Sequence, residues 1–163
     1  MKDVSVMIED VKFNLRAGLM ITCNDEVLVE VNPEIDFVTL PGGRIHTLEN
    51  TKEGLFREIK EEMNYELPDD IKLRGIIENF FEYDTKKYHE LYFLYKYDIN
   101  TDNKLYVDDL KNEDSNKSYF KWVKKSELDQ VNLLPKILRE WSLTDGFDQE
   151  IINDIKKINN MIK

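Results

Sequence analysis

The segment from Gly42-Gly43 through Arg44, Glu49 and Asn50 to Tyr65 constrains this chain more than any other. A glycine pair precedes a stretch crowded with glutamates. Asn50 is a good helix N-cap, and Glu53, three residues on, completes the sequence pattern of a capping box. Leu55, Phe56, Ile59 and Met63 recur at helical spacing as one apolar stripe. Asn64 follows directly, and asparagine tolerates the left-handed conformation that closes many helices. The segment therefore reads as a helix opening at Asn50 and ending at Asn64. On it, Glu58, Glu61 and Glu62 lie three and four residues apart and crowd one side, where like charges repel. Two readings stand. The helix carries a solvated acidic face in an acidic protein, or the carboxylates surround a divalent cation. Hard cations such as Mg²⁺ take oxygen ligands from carboxylates, waters and substrate phosphates. Arg57 is a built-in counter-charge, placed to pair with Glu61 four residues on or with a loop carboxylate such as Glu49.

The rest of the chain bounds what such a helix serves. Its 163 residues fit one domain, 1–163, and 41% hydrophobic residues suffice for a core. A net charge of −10 argues against non-specific binding to nucleic acid, which requires a basic footprint. It leaves room for an anionic substrate received by a local cation. Cys23 is the lone cysteine, so no intramolecular disulfide forms. It reads as a small buried side chain and fits a reducing, cytoplasmic setting. No apolar run approaches a membrane span, and the N-terminus has no secretory h-region.

Strands are expected at Val11–Thr22 and Glu26–Val31, joined at Asn24-Asp25 as a hairpin. A short strand, Phe37–Leu40, ends at Pro41-Gly42-Gly43. Ile71–Phe81 and Glu90–Ile99 read as two more, joined by the polar turn Asp84 to Lys87. Residues 99–117 form a polar, acidic loop around short extended pieces, and Ser118–Val123 is another strand. A helix is expected from Pro135 to about Leu143, since proline suits the first turn. After Gly146 a last helix is expected over about 148–162, with Ile151, Ile155, Ile158 and Ile162 as its stripe. That stripe closes the domain's own core or meets a second copy in a homodimer.

Gly43, five residues, Glu49, seven residues, then Arg57-Glu58-Ile59-Lys60-Glu61-Glu62 is a fixed-spacing array. It resembles the Nudix box, G-x5-E-x7-R-E-U-x-E-E-x-G-U, with U a bulky apolar residue. Asn64 stands where the family has glycine, and Tyr65 stands at the last apolar position. Asn64 can supply the left-handed cap, and neither departure removes a carboxylate.

The resemblance implies an α/β fold, a Nudix-type α/β/α sandwich with a mixed β-sheet. It implies a metal-dependent pyrophosphohydrolase, in which water attacks the diphosphate link of a nucleoside diphosphate-X type small molecule. Mg²⁺ or Mn²⁺ would neutralise the phosphates and acidify the water. By position, Glu58, Glu61 and Glu62 would be metal ligands, with the backbone carbonyl of Gly43. Arg57 and Glu49 would orient the loop against the helix. Glu58 is the first choice for general base within the box. Glu113 or Asp114 offers a further ligand or base, or is simply a solvated loop. Arg44 is a candidate phosphate contact or a surface arginine, Arg16 a phosphate contact or the partner of a carboxylate, and Phe81, with Tyr83 and Tyr88, a place for a base to stack or simple packing. His89 reads better as structural, and His46 as exposed. Two alternatives accompany the hydrolase: a nucleotide-sensing module without turnover, and an RNA 5′-end pyrophosphohydrolase, against which the net charge weighs.

Overall fold

A computed structural model describes residues 1–155. In chain order the elements are β1 (Ser5–Ile8), β2 (Val11–Cys23), β3 (Glu26–Val31), β4 (Val38–Thr39) and β5 (Gly42–Arg44). There follow α1 (Thr51–Met63), β6 (Lys72–Tyr83), β7 (Lys86–Asp98), β8 (Leu110–Lys111), β9 (Tyr119–Lys124), a 3₁₀ turn, α2 (Ile137–Ser142) and β10 (Asp148–Asn153). Among the described residues, no helix is long and apolar enough to cross a membrane.

β2 organises the molecule. Side chains alternate between the faces of a strand. Ala17, Leu19, Ile21 and Cys23 enter one core cluster, with the α1 stripe of Leu55, Ile59 and Met63. Met20 enters a second cluster on the other face, with Leu138 and Trp141 of α2. A strand covered on both faces needs a nearly continuous apolar run, which Gly18 to Cys23 supplies. Burying Leu55 and Ile59 completely contributes about 1.5–3 kcal/mol each. The result is the expected α/β/α sandwich.

The sheet is mixed. β2 runs parallel to β7 from Val11↔Lys87 to Thr22↔Asp98. Its other edge is shared in turn by β1, β5 and β3. The expected hairpin between β2 and β3 exists, but only Thr22↔Val27 and Cys23↔Glu26 pair there. β6 and β7 form a tight hairpin. Its turn is Asp84-Thr85 alone, with φ of 50° and 63°, the double positive φ that a two-residue turn between twisted strands favours. Lys86 and Lys87, expected in the turn, are therefore paired strand residues.

The C-terminal elements differ from expectation. α2 begins at Ile137, not Pro135. Leu134 N–H donates to Val38 O (3.1 Å), which ties the chain to β4 before the helix turns in. The helix expected over 148–162 is a strand over its described first part, β10, parallel to β6 from Asp148↔Gly75 to Asn153↔Phe80. An anchor explains it. Arg74, 2% exposed, donates to Asp148 (2.8 Å) and Thr144 (2.8 Å) and lies over the Trp141 ring at 5.1 Å. A Cβ on Gly75 would sit 2.7 Å from Asp148 O, so the missing side chain lets the two strands meet. An open strand edge plus an anchor on the buried Arg74 outweighs a helical isoleucine pattern. Ile151 is 64% exposed in the strand; Ile158 and Ile162 lie outside the described residues.

Candidate active site

Both ends of α1 are fixed as the sequence implies. Glu53 N–H donates to Asn50 Oδ1 (2.9 Å) and Asn50 N–H to Glu53 Oε2 (3.0 Å), a complete capping box. Asn64 takes φ 51°, ψ 42° and donates its N–H to Lys60 O. The glycine pair, expected as punctuation, is strand β5, with Gly42 opposite Gly18 and Gly43 opposite Ala17. Gly42, at φ 135°, donates its N–H to Glu62 Oε2 at 3.2 Å. A Cβ on Gly43 would lie 2.4 Å from the Glu58 carboxyl carbon. Glycine is thus demanded at Gly42 by its positive φ and by the β2 backbone, whereas at Gly43 its small size leaves room for the Glu58 carboxylate. Gly43→Ala is expected to push the Glu58 carboxylate aside and lower kcat about tenfold, since small misplacements are costly in a site. Its melting temperature should change little, because Gly43 is not at positive φ. Steady-state kinetics beside a thermal melt checks this, and an unchanged kcat would refute it.

Arg57 binds the segment together with all three of its nitrogens. Nε and Nη2 donate to the two Glu49 oxygens at 2.9 and 3.0 Å. Nη2 also donates to Arg44 O at 2.9 Å. Nη1 reaches Glu58 at 3.0 Å and Glu61 at 3.3 Å. His46 N–H donates to Glu49 Oε2 at 2.8 Å. The Arg57 hydrogen bonds hold the Glu49 carboxyl below its ordinary range, although partial burial opposes them. Both pairings open to Arg57 in the sequence, Glu49 and Glu61, are therefore made.

The three glutamates differ in environment. The Glu61 side chain is 44% exposed. Burial pushes Glu58 up, against the pull of Arg57. Glu62 is 7% exposed; burial first, then Glu30 and Glu58, push it up to about 9. Among the described residues no three His, Cys, Asp or Glu side chains converge as a ready ligand cluster. What the site holds instead is a buried carboxylate beside two others, with one backbone N–H and the more distant Arg16 charge acting against its acid form. That donor set suits a hard divalent cation, which would offset the charge.

Glu30 was not anticipated. Its Oε1 accepts from Ser118 Oγ (2.7 Å) and Asn112 Nδ2 (3.2 Å). The signal available was a carboxylate two residues from Leu28, hence on the face of β3 that packs toward α1. The backbone of the acidic loop docks on the helix end, with Glu113 N–H donating to Glu62 O at 2.7 Å. The Glu113 carboxylate itself turns to Lys111 at 3.3 Å, and Asp114 N–H donates to Asn112 Oδ1.

On the α2 side of the sheet opens a cleft of about 1010 Å³, and Arg16, Arg44 and Phe81 all line it. Arg16 lies 3.9 Å from Glu90, and its charge also acts on Glu58 and Glu62. The cleft therefore adjoins the helix carboxylates. Arg16 and Arg44 are cross-strand neighbours, and Arg44 Nε is buried without a hydrogen-bond partner. Phe81 stacks on Tyr88, ring centroids 4.9 Å apart and 7° from parallel; Tyr83 meets Phe37 edge-on. His89 packs between Phe13 and Phe80, a structural place. His46 is not exposed as expected: it pairs with Asp3 at 3.4 Å, its side chain 22% exposed, because the backbone there bridges to the N-terminal segment.

Comparison with known proteins agrees with this geometry. None of the curated protein sequences compared with the chain matches it. Among solved structures, the fold is similar to a MutT protein from Bacillus halodurans, with TM-score 0.64, 17% identity, 86% of this chain and 91% of that one covered. It is similar to a MutT protein from Methanosarcina mazei Go1, with TM-score 0.56, 23% identity and 84% and 94% covered. It is also similar to a C. elegans Ap4A hydrolase, with TM-score 0.54, 20% identity and 80% and 93% covered. At these identities the likeness shows the fold. The NUDIX domain family model matches residues 13–144, most of the chain and all of the glutamate array, and the chain belongs to that family, the family of the Nudix hydrolases.

Proposed function

We propose that the protein is a divalent-metal-dependent hydrolase that cleaves a phosphoanhydride bond in a small molecule of the nucleoside diphosphate-X type. The observation that carries this reading is Glu62, a buried carboxylate within the electrostatic reach of Glu58 and Glu30, on a helix locked by Arg57. Glu58, Glu61 and Glu62, with the Gly43 carbonyl, would hold Mg²⁺ or Mn²⁺. When bound, such an ion supplies charge neutralisation for phosphate oxygens and lowers the pKa of a coordinated water.

The chain's own residues do the rest. Arg57 and Glu49 keep the β5 loop against α1, so the carboxylates need no reorganisation when substrate arrives. Arg16 and Arg44 line the adjoining cleft, where two guanidinium groups suit phosphate oxygens. Glu58 would serve as general base, and burial raises its carboxyl above the ordinary value. The test is phosphate release from nucleoside triphosphates, nucleotide sugars, ADP-ribose and dinucleoside polyphosphates, with Mg²⁺ or Mn²⁺ and a coupled phosphatase. Metal-dependent turnover of one class is expected. Silence across the panel with both metals would overturn the nucleotide-hydrolase reading in favour of binding without turnover or of a substrate outside the nucleotides.

A further inference from the structure

The cleft holds polar groups that the hydrolytic site does not use. On the paired strands β6 and β7, Asn79 stands opposite Glu90, and the next rung on the same face is Phe81 opposite Tyr88. All four line the cleft. Successive same-face rungs are about 7 Å apart, so a polar pair lies directly beside a stacked aromatic pair. Asn79 is 9% exposed and Glu90 8%. The Asn79 side-chain amide, with one acceptor and two donor hydrogens, has no hydrogen-bond partner among the described residues. Among the described residues only Arg44, Arg74 and Arg139 leave a fully buried side-chain nitrogen unpaired, so the Asn79 amide opens to the cleft that it lines and its donors and acceptor are available to a ligand there. Glu90 has Arg16 at 3.9 Å and Asn14 beside it on β2, which leaves carboxylate lone pairs toward the cleft unused. Arg16, one rung from Glu90 and paired with Arg44, lies between this floor and the helix carboxylates.

We propose that Asn79 and Glu90 are specificity-determining residues that read the edge of a nucleobase lying against the Phe81–Tyr88 pair. The inference rests on the nucleotide reading above and names the group that the cleft selects. A base edge carries donors and acceptors in one plane. Its N–H groups suit the Glu90 carboxylate, and its mixed edge suits the amide of Asn79. Its flat face suits an aromatic wall. The spacing lets the attached phosphates reach Arg16 and Arg44, one or two rungs away.

The test is equilibrium binding to the full chain in chelator, so that no turnover occurs. The probes are the four nucleoside monophosphates and ribose 5-phosphate. At least one monophosphate should bind tenfold or more tightly than ribose 5-phosphate. Asn79→Leu should remove most of that preference while affinity for ribose 5-phosphate stays within about twofold; Glu90→Gln should also remove it, with ribose 5-phosphate bound more tightly than by wild type because Arg16 loses its carboxylate partner. Asn79→Leu should melt close to the wild-type temperature, because the amide it replaces bonds to no protein group and opens to the cleft. A merely structural asparagine would show a lowered melting temperature without any change in base preference. Equal binding of all probes by the wild type, its tighter binding of ribose 5-phosphate than of any monophosphate, or a base preference that survives both variants would overturn the proposal. A clear base preference with no turnover in the hydrolysis panel would instead overturn the nucleotide-hydrolase reading alone, in favour of binding without turnover.

Discussion

Glu62→Gln is expected to lower kcat about 10²-fold or more at saturating Mg²⁺, a loss of about 2.7 kcal/mol of transition-state stabilisation, while the fold is retained. The amide keeps the shape and can still accept the Gly42 N–H at Oε1, but it cannot neutralise a cation. Stability should move the other way. In chelator the folded wild type holds Glu62 protonated up to about 9, whereas the unfolded chain ionises it near its ordinary value. Between those values the unfolded state binds fewer protons, so wild-type stability falls as pH rises through that window. The variant has no such group, and its melting temperature should be flatter over the same range and higher at its alkaline end. Added Mg²⁺ should recover the wild type and leave the variant almost unchanged. Melts at several pH values, with and without metal, beside kcat, test each part. Wild-type turnover by the variant would show the metal-ligand assignment to be wrong.

The reason Glu62 is legible in sequence while Glu90 is not lies in the range of the forces involved. Everything that places Glu58, Glu61 and Glu62 is local: the Asn50–Glu53 capping box, the Leu55–Ile59–Met63 stripe and the left-handed Asn64. Helical spacing alone brings the carboxylates to one side, and the array around them has a recognisable spacing. Asn14, Asn79 and Glu90 come together only because β2 pairs with β7 and β7 with β6. No local signal reports which strands become neighbours. What the sequence does show is a polar residue at every second place beside aromatic ones, Tyr88-x-Glu90-x-Tyr92 on β7 and Asn79-x-Phe81 on β6. That places an amide and a carboxylate among aromatic rings on the more buried face of the two strands.

The same limit explains the C-terminal misreading. Isoleucines at helical spacing are a local signal, and a local signal predicts a helix. The open edge of β6, the missing side chain of Gly75 and the buried Arg74 bonded to Asp148 are tertiary facts. They commit Asp148–Asn153 to the sheet instead. β5 is a milder case: glycines signal a break, yet here their small size lets a strand lie between β2 and the carboxylates of α1.

Arg57→Ala is expected to cost both stability and activity. The Glu49 side chain is only 9% exposed, and without Arg57 its charge keeps one backbone N–H from His46. Breaking a fully buried pair costs about 3–5 kcal/mol; with Arg57 itself 22% exposed, solvent reduces this to about 2–3 kcal/mol. Arg57→Lys should recover little, because an ammonium cannot reproduce a fork that meets both Glu49 oxygens and the Arg44 carbonyl at once. The pH profile identifies the cause. Glu49 is held below its ordinary range in the folded protein, so its contribution is present above the ordinary carboxylate value and is lost as pH falls through the lowered one. The variant should therefore be nearer to wild type in acid than at neutral pH. A double-mutant cycle with Glu49→Gln should show strong coupling, the second change costing little once the first is made. Activity should fall about 10- to 100-fold, the range for a group that orients ligands without contacting the reacting atoms. Part of the loss should appear as weaker Mg²⁺ activation, since Glu58 and Glu61 lose the group that holds them. Additive effects in the cycle, or unchanged metal dependence, would show that Arg57 does not organise the site.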